Sequence, residues 1–194
     1  MIVAAVLVVI GALAVAVVAS SGSGAPGPNS TPPTLLASTD GQAQGQPVDG
    51  IECQQMEQVL YHIHAHLAVY VNGDPRIIPA GIGIVGAVPE STSSGPVVVS
   101  GTCFYWLHSH TQDGIIHIES PQPRTYTLGN YFDIWRQPLT GDQVGPAQGR
   151  VFAYLNGQRF TGDPRSIPLT AHARIQLDVG TNVAPQPFVF PSGL

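Results

Sequence analysis

The sequence predicts an α+β fold: mainly antiparallel β-sheet with one principal helix and a duplicated hairpin unit, carried on an N-terminal transmembrane helix. Three observations lead there. Apolar and polar residues alternate with period two along 61–71 and 169–179, the pattern of half-buried strands. Asn72-Gly73 and Asn156-Gly157 each follow such a run, a strong short-range hairpin signal. The clearest helical spacing lies in 127–136.

Residues 1–19 carry no charge and match one bilayer crossing, which needs about 20 apolar residues. Val17-Val18-Ala19 before Ser20 also fits a signal-peptidase site, which would leave the mature chain secreted. The run is longer than a usual signal core and no Lys or Arg precedes it, so a retained anchor is the preferred reading. Residues 20–48 are rich in Ser, Gly, Pro, Thr and Gln and read as a disordered linker. The folded domain is then 49–194, long enough for one real core.

Within that domain Asp49 is positioned to cap a short helix over 51–60. In the strand at 61–71, Ile63, Ala65, Leu67, Val69 and Val71 form the core face, and His62, His64, His66, Ala68 and Tyr70 the other. A Gly-spaced return strand follows at 77–88, then a loop at 90–96 and strands at 97–100, 102–110 and 115–119. Pro121 and Pro123 interrupt the chain. Thr127 caps the helix, whose stripe is Leu128, Tyr131, Phe132 and Trp135, and Pro138 stops it. Strands at 151–155 and 169–179 complete the sheet. In the last, Leu169, Ala171, Ala173, Ile175, Leu177 and Val179 are expected inward, and Thr170, His172, Arg174, Gln176 and Asp178 outward. A duplication is read from Tyr70-Val71-Asn72-Gly73 with Asp74-Pro75-Arg76-Ile77-Ile78-Pro79, echoed by Tyr154-Leu155-Asn156-Gly157 with Asp163-Pro164-Arg165-Ser166-Ile167-Pro168.

Six of the seven histidines fall in two clusters. His62, His64 and His66 share one strand face, as do His108 and His110; His117 and Glu119 follow. A two-residue turn at Asp113-Gly114 would pair His110 with His117 and His108 with Glu119. Imidazole is the commonest protein metal ligand and is neutral near pH 7. Imidazoles with a carboxylate and no CxxC suit a transition metal such as copper or zinc. The candidate ligands are His62, His64, His66, His108, His110, His117 and Glu119. The competing reading is an unmetallated polar or pH-responsive face. His172 is isolated and reads as solvent-facing; Trp106 reads equally as a wall of the site or as core packing.

Cys53 and Cys103 fit one disulfide if the domain lies outside the cytoplasm. The alternative makes Cys103 a ligand beside His108. Strand alternation opposes it, because Cys103, Tyr105 and Leu107 share one face while Trp106, His108 and His110 share the other. The formal charge is −5, Lys is absent and the Arg residues are scattered, so nucleic acid is not an expected partner. Neither GxSxG nor a P-loop occurs.

Gly101-Thr102-Cys103-Phe104-Tyr105-Trp106-Leu107-His108-Ser109-His110, then Gln112-Asp113-Gly114, resembles a copper-ligand stretch of multicopper oxidases, and His62-Ile63-His64-Ala65 is similar to their other His-x-His motif. That likeness covers about a tenth of the chain and implies copper. More broadly, the HxHAHL…YVNG and LHxH…GIIHIE segments resemble a group of uncharacterised secreted or anchored bacterial and archaeal proteins, over most of 60–180. That resemblance implies an extracytoplasmic setting and no particular activity. The expected protein is a membrane-anchored, extracytoplasmic copper- or zinc-binding protein whose partners are the membrane and the ion. The alternatives are a metal-dependent hydrolase or oxidoreductase, and an envelope interaction module without metal.

Overall fold

One eleven-residue strand organises the molecule, because both of its edges are occupied along most of its length. The computed structural model describes residues 33–194. The reading of 1–19 as an anchor or signal lies outside them. Among the described residues no helix is long and apolar enough to cross a membrane.

The strands in chain order are β1 (Thr34–Leu35), β2 (Cys53–Gln54), β3 (Tyr61–Val71), β4 (Asp74–Ile77), β5 (Ile84–Val85), β6 (Glu90–Thr92) and β7 (Gly95–Val97). They continue with β8 (Cys103–Tyr105), β9 (Leu107–His108), β10 (Ile115–Ser120) and β11 (Tyr126–Thr127), which leads into the helix α1 (Leu128–Trp135). After it come β12 (Gln143–Val144), β13 (Ala147–Gln148), β14 (Val151–Leu155), β15 (Gln158–Phe160), β16 (Pro168–Leu169) and β17 (Ala173–Val179). The main sheet runs β1-β4-β3-β17-β14-β15. Antiparallel β10 occupies the first half of one β3 edge and β4 the second half, while β17 lies parallel on the other. β9 extends the sheet beyond β10. The α+β expectation therefore holds, with a parallel pair in a mostly antiparallel sheet.

Sequence alternation accounts for the core. Ala65, Leu67 and Val69 of β3, Ile116 and Ile118 of β10, and Ala173, Ile175, Leu177 and Val179 of β17 are buried in one cluster with Tyr131, Phe132, Ile134 and Trp135 of α1. Thr127 caps α1 in a capping box with Asn130, and Arg136 ends it in the left-handed conformation. Both Asn-Gly turns have positive φ at both residues, as a type I′ hairpin demands. The two hairpins β3–β4 and β14–β15 flank β17. Their downstream echoes differ: Asp74-Pro75-Arg76 lies in β4, whereas Pro164–Ser166 forms a 3-10 turn. The repeated unit is thus the hairpin without its re-entry.

Four expectations are corrected. Residues 33–48 belong to the folded unit. β1 pairs with β4, Leu36 and Ala43 are buried, and the buried Gln42 side chain donates to the carbonyls of Gly81 and Ile84. The segment 51–60 is not helical. Cys53–Gln54 pairs with β8, and Met56, Val59 and Leu60 are exposed. The strand at 102–110 breaks into β8 and β9. Finally, the last strand begins at Ala173, and its outward Gln176 and Asp178 are buried because the C-terminal tail lies over them. The backbone N–H groups of Val183 and Gln186 donate to Asp178 Oδ2 and Gln176 Oε1.

Candidate metal centre

Three neighbouring strands bring the ligands together. In the register of β3 with β10, His64 lies opposite His117 and His62 opposite Glu119. In the register of β10 with β9, His117 lies opposite His108. His64, His117 and His108 therefore form one row across three strands, where Cβ atoms of directly opposed residues stand about 5 Å apart. The expected two-residue turn is replaced by a longer connection, and His117 pairs with His108 instead of His110. That is a slip of two residues. An even slip keeps every side chain on its face, so the histidine face survives the error. Gly114 closes the connection at φ +80, where an added Cβ would stand 2.3 Å from the Leu67 carbonyl oxygen.

The side chains converge in two sets. In the first, His62 Nε2 is 3.0 Å from His64 Nε2 and 2.9 Å from Glu119 Oε1, and His117 Nδ1 is 3.2 Å from that same oxygen. In the second, His108 Nε2 is 3.1 Å from His110 Nε2, while Glu57 Oε1 is 3.1 Å from His110 Nε2 and 3.7 Å from His108 Nε2. A tetrahedral ion with bonds of about 2.0–2.1 Å sets its ligands roughly 3.3–3.4 Å apart. The contacts, 2.9–3.2 Å in the first set and 3.1–3.7 Å in the second, lie within about 0.5 Å of that spacing. Donors of His62, His64 and His117, of His108, His110 and His117, and of Glu57, His108 and Glu119 lie within 4.8 Å of one another in each group.

Hydrogen bonds fix which nitrogens face inward. His108 Nδ1–H donates to the Tyr105 carbonyl at 2.8 Å, and His110 Nδ1–H donates to the Val98 carbonyl. A carbonyl only accepts, so each neutral ring keeps its proton on Nδ1 and presents the Nε2 lone pair. Two lone pairs and a carboxylate oxygen then point at one another. This is the usual way a protein orients metal-binding imidazoles. Burial supports the neutral form: His108 is 0 % exposed and its pKa is lowered to about 3, first by burial and then by His110. His64 is lowered to about 4, first by burial and then by His117 and His62. Glu119 is 3 % exposed. Burial acts to raise its pKa, but the hydrogen bond from His117 and the nearby His108 and His62 outweigh that and hold it low. Its second oxygen, Oε2, is buried without a hydrogen-bond partner among the described residues.

Of the seven expected ligands, six converge and His66 does not. Its ring stacks on Phe188 at 3.5 Å between centroids, in a cleft of about 440 Å³ that Tyr70, Arg76 and Gln186 also line. The tail supplies Phe188, and strand parity alone could not foresee that partner. Glu57 was missed because 51–60 reads as a helix; its loop is delivered by β2, which pairs with β8 and is tied to it by the Cys53–Cys103 disulfide. That disulfide rules out Cys103 as a ligand. Trp106 packs against the core, its indole N–H donating to Gln54. His172 is exposed, with its ring nitrogen beside the Leu194 carbonyl. The chain thus carries histidine clusters able to bind a metal ion. No family model, no curated protein and no solved structure matches it.

Proposed function

We propose that this protein binds a transition metal outside the cytoplasm, with copper ahead of zinc, and serves to hold, sense or hand over the ion. One observation carries the reading. The Nε2 lone pairs of His108 and His110 face each other at 3.1 Å, with their Nδ1 protons committed to backbone carbonyls. Two acceptors at that separation repel unless a cation joins them, and His108 resists protonation. An all-imidazole and carboxylate donor set without thiolate suits Cu²⁺ or Zn²⁺. The likeness of 101–114 to a multicopper oxidase ligand run favours copper. The disulfide and the apolar segment 1–19 support an anchored, extracytoplasmic location. The convergence of the rings speaks against an unmetallated interaction module.

A metal-dependent hydrolase or oxidoreductase is the second reading. It rests on the rim: His62 and Glu57 keep side-chain exposures of 37 % and 36 %, so an outside molecule can reach the cluster.

The test is elemental analysis of the purified full chain after incubation with copper or zinc and desalting, beside a His64/His110/His117→Ala variant. Wild type is expected to retain metal and the variant to lose it. Equally little metal in both overturns the proposal.

A further inference from the structure

The short contacts fall into two sets, and seven donors exceed what one four-coordinate ion accepts. The hydrogen-bond and ion-pair contacts among these donors all fall within one set: His62, His64, His117 and Glu119, or His108, His110 and Glu57. Only the looser 4.8 Å groups join them, through His117 and through Glu119. We infer that the protein holds a two-ion centre, one ion on His62, His64 and His117 and the other on His108, His110 and Glu57, with the Glu119 carboxylate spanning both. This deepens the metal-binding reading and rests on it.

Glu119 is the residue that argues for the bridge. It lies between the sets on β10, opposite His62 in the sheet. Oε1 takes the contacts of the first set, at 2.9 Å from His62 Nε2 and 3.2 Å from His117 Nδ1. Oε2 is buried with no partner among the described residues. An orphaned carboxylate oxygen in the interior is costly unless something positive meets it. One oxygen of Glu119 also lies within 4.8 Å of a His108 nitrogen and a Glu57 oxygen, the donors of the second set. Three terminal ligands plus one bridging oxygen then complete four-coordination at each ion. His117 belongs to both all-histidine 4.8 Å groups and is placed with the first ion because its ring is held on Glu119 Oε1, the oxygen that His62 also touches. Charge is shared as well: each ion receives carboxylate, from Glu57 on one side and from Glu119 on both.

The number of ions is the direct test. The full chain, stripped with chelator, is titrated with Cu²⁺ and the bound metal counted per chain. Two ions are expected. One ion overturns the two-ion centre and leaves metal binding standing; none overturns both. Variants of each set then locate the ions, with circular dichroism confirming the fold. His62/His64→Gln and His108/His110→Gln should each retain one ion of the two. If either double variant binds none, the sets form a single site and the inference fails. Electron paramagnetic resonance of the loaded wild type should show an exchange-coupled Cu²⁺ pair with reduced integrated signal. Glu119→Gln should uncouple it, and two magnetically isolated ions in the wild type would remove the bridge.

Discussion

Gly83 lies flat against His108. At φ +73 it has no room for a side chain: a Cβ there would stand 2.3 Å from the Leu107 carbonyl oxygen and 3.0 Å from His108 Cβ. The backbone beside it is hydrogen-bonded to the segment that carries His108, with Ser109 N–H donating to the Ile82 carbonyl and Tyr105 N–H donating to the Gly83 carbonyl. Gly83→Ala must either strain a left-handed alanine, at about 1–2 kcal/mol, or push β9 away. The expected outcome is a stability loss of at least that size in urea denaturation, together with weaker metal binding at His108. Unchanged stability and unchanged affinity would refute this close packing. Single residues were unevenly legible in the sequence. The period-two histidines announced their shared face, and five of them do converge. His66 shares that face, yet a tail residue far along the chain claims its ring. Gly83 stood in a Gly-spaced run that the sequence offered only as a loose return strand.

Elements followed the sequence where local rules decide them, as at Thr127 before α1 and at both Asn-Gly turns. They departed from it where a distant partner decides. The apolar spacing of 51–60 suits a short helix, but pairing with β8 and the Cys53–Cys103 bond draw Cys53–Gln54 into a strand. That bond closes a loop with a sequence separation of 50. In the chain-entropy model such a loop contributes about 4 kcal/mol. The disulfide also anchors β2, from which the Glu57 loop departs, against β8, which leads to His108. Reduction, or a Cys53→Ser/Cys103→Ser variant, should therefore lower stability by a few kcal/mol. It should also weaken metal binding at His108, His110 and Glu57 more than at His62, His64 and His117. Equilibrium denaturation and stepwise copper titration, with and without reductant, measure the two effects. An equal loss at both groups would show that Glu57 is not positioned through the disulfide.

At the scale of the molecule, burying so many imidazoles links folding to pH. His64 and His66 are each lowered to about 4 and His108 to about 3, in each case chiefly by burial. The groups facing His108 are His110, His117, Glu57 and Glu119; Asp113 faces His66. An unfolded chain protonates its histidines as pH falls through about 6.5, while the native chain leaves these three neutral. The unfolded state then binds more protons, so the metal-free protein is most stable above about pH 6.5 and loses stability continuously as pH falls toward 4. Glu119, whose pKa is lowered in the fold, adds a loss of the same sign at more acidic pH. Asp178 acts in the opposite sense, because burial raises its pKa, and its effect falls in the carboxylate range. Between pH 6.5 and 5 the histidines therefore dominate. Denaturation midpoints of the chelator-stripped protein should fall across that interval, and His66→Phe, which can keep the stack on Phe188, should flatten the slope. Bound metal steepens it, since each protonated imidazole is a lost ligand. A midpoint that holds constant or rises from pH 6.5 to 5 would mean that these rings are not held neutral inside the fold.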